Sequence, residues 1–483
     1  MKRRTLLAGA VGAIGATAVA VRAADARESA VVTSLSQLQS AINSATAGTT
    51  ITLANGSYAV GSSGITVTGR NGTTTSPITI QAETKGGVTL TGSKSFVFSN
   101  SSNITISGFI FKQTATLDLA ASASRIRLTR NEFALGSAAS HSVVVRGDDV
   151  KIDRNLFRDK TTVGVYLVID GPANNDPQNE TIAKRTYILR NHFRDHSFSG
   201  KNGGESIRLG VSSRALADAD ATVEYNLFER ANGDPEAISV KSSGNTIRYN
   251  TVRSSFGGIV LRHGNGNRVE SNYILSGNNG IRIYGNDHLI VNNYVDSVHG
   301  TDGSTSAGII LGSGSERDHT PGESETDRKG NDAPDRVVIV LNTVRNSDKG
   351  IAGESNRTVQ PLSCQIRDNL LVGTSGNLTD LPYQSGVTFS GNILWGSASN
   401  GTIPSGGFTR ADPKLTAGTD GVYRLGSGSA AINAVSANHS SRVTDDLDGQ
   451  ARTAPYDVGA DEYSTAAPVR RPLTSADVGP NAA

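Results

Sequence analysis

An asparagine recurs along this chain at nearly constant spacing, and this repeat constrains the fold more than any other feature. Each of these asparagines follows a short run of alternating residues, and an apolar residue comes two positions after it. The repeat comprises Asn131, Asn155, Asn191, Asn226, Asn250, Asn272, Asn293, Asn342, Asn369 and Asn392. The short intervals between them are 21 to 24 residues, which suits one coil of three short strands and their turns.

The runs before the asparagines have the pattern of half-buried strands. Residues 125–129, 150–153 and 245–249 alternate apolar and polar side chains. An asparagine at the following turn can bond the backbone and stack on the asparagines of adjacent coils. A β-sandwich with asparagine turns would not repeat this residue at one coil length. The sequence therefore predicts an all-β, single-domain, right-handed parallel β-helix.

The ends of such a stack need covering, because an open coil exposes a sheet edge. Leu35, Leu38 and Ile42 have helical spacing, so we expect residues 34–43 to form an amphipathic capping helix. The repeat fades after about residue 400, and residues 445–461 are expected to pack back on the stack as an irregular segment. We predict a β-helix domain over residues 27–465 and a flexible C-terminal tail over residues 466–483.

The first residues have the pattern of an export signal. Basic residues at positions 2–4 precede an apolar stretch over 6–21 and small residues around 23–26, an arrangement that resembles a twin-arginine signal. We predict a signal over residues 1–26, no stable membrane span, and export to the periplasm or secretion. Cys364 is the single cysteine, so no intrachain disulfide is possible, and we expect it to be buried.

The charge balance excludes one class of function. The 46 basic and 44 acidic residues give a net charge of +2, whereas a dedicated nucleic-acid binder would show a strong basic excess. The eight histidines and the cysteine show no zinc-binding spacing. We expect a monomer that acts on an anionic polysaccharide and does not bind nucleic acid.

Three basic residues recur at the length of one coil. Lys241, Arg262 and Arg282 are separated by 21 and 20 residues. Equivalent positions on adjacent coils lie about 4.8 Å apart, so the spacing predicts a column of mutually repelling cations. Such a column is typical of a surface that binds an anionic ligand.

Oxygen-bearing side chains precede this column. Asp234 and Glu236 are two residues apart and face the same side of a strand, and Asn202 comes roughly one long coil earlier. Two carboxylates and an amide oxygen suit Ca²⁺. Glu205 and Glu229 are alternative contributors to this site.

A cation site beside a lysine and an arginine suits β-elimination of a uronate polysaccharide. The metal would acidify the C5 hydrogen, the lysine would remove it, and the arginine would assist the leaving C4 oxygen. The product chain would carry a 4,5-unsaturated end.

The same stretch resembles a known family. Residues 202–208, 236–241 and 261–264 look like those of the chondroitinase B and alginate lyase family, polysaccharide lyase family 6. The resemblance extends over about residues 30–465 and is most specific over 202–284.

The resemblance implies a role for each matching residue. It implies Lys241 as the base, Arg262 as the acid, and a substrate-binding role for His263. It implies Ca²⁺ ligands at Asn202, Asp234 and Glu236. One departure is Asp234, because relatives often carry the longer glutamate at this position and here a proline follows.

The neighbouring coils add three expected substrate-binding residues, which are Arg208, Arg282 and Tyr284. We expect alginate, mannuronate-rich or mixed, as the substrate, with dermatan sulfate as the alternative. A non-catalytic carbohydrate-binding β-helix remains a further alternative. A polygalacturonase-like hydrolase would need close aspartate pairs, and none accompanies the basic column.

Overall fold

The computed structural model describes residues 31–138, 140–172, 181–198, 202–301 and 306–483. The predicted export signal lies outside these residues. Among the residues described, no helix is both long enough and apolar enough to cross a membrane.

Three long parallel sheets, here named A, B and C in the order in which each coil visits them, form the body of the chain. Sheet A contains Val31–Val32, Thr50–Leu53, Ile78–Ala82, Ser101–Ser107, Ala123–Thr129, Lys151–Asp153, Tyr187–Leu189, Thr222–Glu224, Thr246–Arg248, Arg268–Glu270, Leu289–Val291, Val338–Val340, Cys364–Arg367 and Val387–Ser390. Sheet B contains Gly56–Val60, Val88–Gly92, Phe109–Phe111, Glu132–Phe133, Leu156–Lys160, His192–His196, Leu227–Ala231, Thr251–Arg253, Tyr273–Leu275, Tyr294–Asp296, Thr343–Arg345, Leu370–Val372, Asn392–Trp395 and Phe408–Arg410.

Sheet C is shorter and begins later in the chain. It contains Leu117–Leu119, Val143–Val145, Leu167–Ile169, Ile207–Gly210, Glu236–Lys241, Gly258–His263, Ile281–Ile283, Ile309–Leu311, Lys349–Gly353 and Asn377–Asp380. A parallel pair, Ile65–Thr68 with Phe96–Ser99, precedes it, and an antiparallel pair, Leu415–Ala417 with Tyr423–Leu425, follows the stack. The chain is a right-handed parallel β-helix, which confirms the predicted fold class.

The ten asparagines of the repeat form a continuous ladder at the corner between sheets A and B. From Asn131 to Asn369, each backbone N–H donates to the side-chain oxygen of the next ladder asparagine at 2.8 to 3.1 Å. Each side-chain amide also donates to a backbone carbonyl of the preceding coil. The ladder thus satisfies buried polar groups at the tightest bend of each coil.

The bend itself needs a left-handed backbone conformation. The residue before each ladder asparagine has φ between 49° and 65°. These residues are Arg130, Arg154, Arg190, Tyr225, Tyr249, Ser271, Asn292, Leu341, Asp368 and Gly391. All but one carry a side chain, so the ladder hydrogen bonds hold a conformation that these residues rarely adopt.

The apolar residues after the asparagines fill the interior. Phe111, Phe133, Phe157, Phe193 and Phe228 stack with centroids 4.6 to 5.0 Å apart on successive coils. This separation is the coil spacing, so the parallel register places like side chains on one another.

The N-terminal end of the stack is covered as predicted. The helix Leu35–Ser44 buries Leu38 and Ile42 against the first coils, and its N-cap Ser34 accepts a hydrogen bond from the Gln37 backbone. This confirms the capping helix. Cys364 is buried, as expected.

The C-terminal residues pack along the outside of the coils. Tyr456 and Val458 join a buried cluster with Val291 and Leu370 of the stack. The predicted flexibility of residues 466–483 is wrong for this structure. Leu473 is buried against Leu227, and its backbone bonds the last sheet-B strands of the middle coils.

Three short helices complete the fold. The α-helix Glu325–Arg328 lies in the long connection between sheet C and sheet A that follows residue 311. The 3₁₀ helices are Ser212–Arg214 and Ser405–Gly407. The first 3₁₀ helix contacts Glu325–Arg328, so the two segments lie together beside sheet C.

Candidate active site

A polar cleft of about 510 Å³ lies on the outer face of sheet C. It is built from the strands Glu236–Lys241, Gly258–His263 and Ile281–Ile283, and from loops around them. Of the predicted site residues, it brings together Asn202, Asp234, Glu236, Lys241, Arg262, His263, Arg282 and Tyr284. The coil spacing therefore located the cleft from sequence.

Lys241 ends its strand beside an acid from the preceding coil. Its Nζ lies 3.9 Å from Oε1 of Glu205, and the lysine side chain is 17% exposed. The other carboxylate oxygen of Glu205 is buried and has no hydrogen-bond partner among the described residues. Lys241 is thus held at the cleft while a carboxylate oxygen beside it remains free to bind a ligand.

Arg262 occupies an irregularity of sheet C. Val240 pairs with Leu261, but the next residue, Lys241, pairs with His263, so Arg262 is the extra residue of a β-bulge. A bulge re-aims a side chain relative to the regular pleat. The Arg262 guanidinium donates to Oδ1 of Asn331 at 2.6 Å.

The predicted single column of cations is wrong in its register. Arg282 pairs with Val260, which pairs with Ser239, which pairs with Arg208. Arg282 therefore shares a row with Arg208, three strands away, and not with Lys241. The reason is that equal sequence spacing does not count the bulged residue. Arg208 lies outside the cleft lining.

His263 is buried directly behind the exposed groups. It is 1% exposed, its Nε2 lies 3.0 Å from the Ser212 hydroxyl, and its Nδ1 has no partner in the described part of the chain. Burial, together with the nearby charges of Arg262 and Lys241, lowers its pKa well below 6.5. The imidazole is therefore neutral near pH 7.

The acidic residues converge at the other end of the cleft. Asp234 accepts backbone hydrogen bonds from Gly203 at 2.9 Å and Glu236 at 3.1 Å. Burial, followed by repulsion from Glu205 and Glu236, raises the pKa of Asp234 to about 7. Three carboxylates thus share a site that lacks compensating positive charge on Asp234.

The alternative acidic residue Glu229 does not belong to this site. It lies on sheet B, where its carboxylate is 2.8 Å from Nε2 of His192. Glu205, the other alternative, lies beside Lys241. The strand assignment separates the two candidates, which sequence spacing could not do.

Ion pairs order the far end of the cleft. Nη2 of Arg282 lies 3.2 Å from Oε1 of Glu236, and the Tyr284 hydroxyl donates to Glu354 at 2.8 Å. Arg357 pairs with Glu354 at 3.1 Å. The Arg282–Glu236 pair links the basic and acidic ends of the site.

Sequence reasoning missed the residues that later coils supply. Asn331 and Lys329 come from the connection that contains the helix Glu325–Arg328, and Glu354, Asn356 and Arg357 follow a sheet-C strand. The coil spacing gave no signal for them, because they lie in connections whose path depends on the folded stack.

Comparison with known proteins places this β-helix and its cleft in a family. Residues 32–424 match the family model Chondroitinase B, so the chain belongs to the chondroitinase B family, as the sequence resemblance predicted. No curated protein sequence matched the chain.

Solved structures of polysaccharide lyase family 6 (PL6) share the fold. The PL6 alginate lyase AlyGC has a TM-score of 0.72 and 27% identity, over 82% of this chain and 55% of that one. This chain thus spans about half the length of AlyGC. A mannuronic acid specific family 6 lyase from human gut microbiota gives 0.68 and 24%, over 79% and 90%. The PL6 lyase Pedsa3628 from Pseudopedobacter saltans gives 0.66 and 24%, over 93% and 99%.

Proposed function

We propose that this protein is a polysaccharide lyase that cleaves uronate-containing polysaccharide by Ca²⁺-assisted β-elimination, with mannuronate-rich alginate as its substrate. The observation that carries the proposal is the placement of Lys241 and Arg262 on one cleft, beside the carboxylates of Glu205, Asp234 and Glu236. Membership of the chondroitinase B family and the similarity to the alginate lyase AlyGC support it.

Lys241 is proposed as the base. A uronate bound in the cleft would present its C5 hydrogen to Nζ, which Glu205 holds at 3.9 Å from its carboxylate. Lys241 accepts the C5 proton, the C4–O4 bond breaks, and the electron pair of the C5–H bond forms the C4=C5 double bond. General-base catalysis of this kind contributes about 10² to 10⁴ in rate.

Arg262 is proposed to assist the leaving oxygen. Its hydrogen bond goes to the neutral amide of Asn331, so the guanidinium is oriented without losing its positive charge to a carboxylate. A fixed cation at the developing O4 anion stabilises the transition state, and the oxygen then takes up a proton.

The acidic end of the cleft fits a divalent cation. The unpartnered buried oxygen of Glu205 and the raised pKa of Asp234 both indicate negative charge that the protein itself does not compensate. Asn202, Asp234 and Glu236 would supply hard oxygen ligands. Ca²⁺ bound there would neutralise the substrate carboxylate and make the C5 hydrogen more acidic.

The remaining predicted residues are proposed to hold the polymer. Arg282 and Tyr284 line the cleft, and Arg208 continues the row of Arg282 along sheet C. His263 would offer its unpartnered Nδ1 to substrate. We also propose that the chain is exported, on the basis of its first residues.

A polymer panel tests the proposed function. The purified protein is incubated with polymannuronate, polyguluronate and dermatan sulfate, with Ca²⁺ or with excess chelator, and the ultraviolet absorbance of the new C4=C5 bonds is followed. We expect the fastest rise on polymannuronate and at least a tenfold loss with chelator. No absorbance on any polymer would contradict lyase activity, and fastest cleavage of dermatan sulfate would correct the substrate.

A variant pair tests the metal ligands. Glu236→Gln removes a proposed Ca²⁺ ligand, whereas Glu229→Gln alters an acid on sheet B that is paired with His192. We expect Ca²⁺ to raise the melting temperature of the parent protein and of Glu229→Gln, and to leave Glu236→Gln unchanged. An equal rise in all three proteins would remove Glu236 from the metal site.

A further inference from the structure

A second cleft lies at the corner between sheets A and B, on the edge of the coils away from sheet C. Its volume is about 310 Å³. Arg190, Tyr225 and Tyr249 form one wall, and each immediately precedes a ladder asparagine. Residues 469–477 of the C-terminal segment form the other wall. The proposed lyase mechanism uses none of these residues.

Two tyrosines give this cleft an aromatic surface. Tyr225 and Tyr249 occupy the same bend on consecutive coils, with φ of 53° and 57°. Their ring centroids are 5.1 Å apart with an interplanar angle of 41°, and both side chains remain partly exposed. The repeat therefore places two adjacent rings at a surface where a flat apolar group could pack.

One arginine of the cleft has no acidic partner. The Arg190 guanidinium lies 5.7 Å from the Tyr225 ring centroid and bonds the Asp477 carbonyl at 3.4 Å, but it pairs with no carboxylate among the described residues. Arg470 and Arg471 differ, because they pair with Asp445 and Asp477 at 2.6 and 2.9 Å. Arg190 thus supplies uncompensated positive charge beside the tyrosines.

The C-terminal wall is fastened on both sides of the cleft. The Leu473 N–H donates to the Thr251 hydroxyl at 2.8 Å, and the Gly479 N–H donates to the carbonyl of Arg190 at 2.8 Å. The cleft therefore exists before any ligand arrives, which lowers the entropic cost of binding.

We propose that this C-terminal cleft binds a carboxylated sugar ring. The apolar face of the ring packs on Tyr225 and Tyr249, and the carboxylate accepts charge-assisted hydrogen bonds from Arg190. The cavity has the volume of a small ligand site. A neutral sugar would leave the cation unused. This binding does not depend on the proposed lyase activity, because it uses a different edge of the stack.

Calorimetric titration tests the proposal. The full-length Lys241→Ala variant is titrated with a short mannuronate oligosaccharide, which it is expected not to cleave, and with a neutral gluco-oligosaccharide of the same length. We expect two binding events with the uronate, one at each cleft, and no binding of the neutral sugar at the C-terminal cleft. Adding Arg190→Gln or Tyr225→Ala should weaken one event about tenfold, whereas Tyr225→Phe should preserve it.

A matched arginine separates ligand binding from docking of the C-terminal segment. Arg130 lies at the same bend on an earlier coil and bonds the carbonyls of Pro480 and Ala482 at 2.7 and 2.8 Å, outside the cleft. Arg130→Gln should leave both binding events intact. The proposal is overturned if Arg190→Gln titrates like its parent, if Arg130→Gln abolishes the same event, or if the neutral sugar binds equally well there. Absence of lyase activity on polymers would leave this result unaffected.

Discussion

The A–B corner of the stack and the face of sheet C treat buried polar groups in opposite ways. At the corner, ladder asparagines such as Asn250 exchange hydrogen bonds with the coils before and after them. The sheet-C face instead keeps buried polar atoms without protein partners among the described residues. These include Glu205 Oε2, Arg208 Nε, His263 Nδ1, Arg282 Nε and Asn331 Nδ2.

The difference shows where stability and ligand binding reside in one repeated structure. A buried polar atom without a partner costs about 1 to 3 kcal/mol, so several of them on one face need compensation elsewhere. The ladder and the stacked phenylalanines supply regular, repeated stabilisation. The unpartnered groups of sheet C then remain available to substrate and metal.

Breaking the ladder should have the largest effect on stability. Asn250→Ala removes the acceptor of the Asn226 N–H at 2.9 Å and the donor to the Val223 carbonyl at 2.8 Å, which leaves buried groups unpaired. We expect the free energy of unfolding to fall by about 3 kcal/mol, measured by chemical denaturation. The surface variant Asn278→Ala, which loses a bond to Thr301, should change it by less than about 0.5 kcal/mol. Equal losses in both variants would contradict a special role for the ladder.

A histidine in a second, shorter ladder should make stability depend on pH. His288 is buried, its Nδ1 accepts from the Asn267 N–H at 3.0 Å, and its Nε2 donates to the Tyr284 carbonyl at 2.9 Å. Burial lowers its pKa from 6.5 to about 4. The unfolded chain therefore binds a proton that the folded chain excludes, so this stabilisation is present above pH 6.5 and is lost as the pH falls towards 4.

Replacing this histidine sharpens the same comparison. Between pH 7 and pH 5, the His288 contribution should fall by about 2 kcal/mol, so His288→Asn should show a correspondingly flatter pH dependence of unfolding. His299→Asn is the control, because His299 is exposed on the surface. A pH dependence in His288→Asn as steep as in the parent protein would contradict this account.

On the sheet-C face, a smaller effect is expected from the residue that orients Arg262. Asn331→Ala should lower kcat about tenfold and change KM little, because Asn331 acts through the guanidinium. Asn331→Asp keeps the acceptor but neutralises the guanidinium charge, so it should also remain slow. Steady-state kinetics on polymannuronate measure both. A raised KM with unchanged kcat would instead place Asn331 in direct substrate binding.

The fold could be predicted from sequence because each coil repeats one local constraint. Asn131 and its equivalents mark the bend, and the apolar residues after them mark the interior. The left-handed residues before the bend could not be found, because Arg130 and Tyr249 carry no glycine signal. Docking of the C-terminal segment was also missed, since it depends on contacts such as Leu473 with Leu227.

The site could be predicted in its strands but not in its connections. Lys241, Arg262 and Arg282 line the cleft because coil spacing places their strands side by side. The bulge at Arg262 depends on strand pairing that spacing does not specify. Asn331 lies 69 residues from Arg262 in the chain, in a connection without repeat signal.

The most direct test of the account measures activity and stability together in Lys241→Ala. We predict that the rate of C4=C5 bond formation on polymannuronate falls about a thousandfold, while the free energy of unfolding stays within about 0.5 kcal/mol of the parent protein. This result would assign chemistry to the sheet-C face independently of the ladder that stabilises the stack. A variant that keeps its activity, or one that loses activity only by unfolding, would contradict the account.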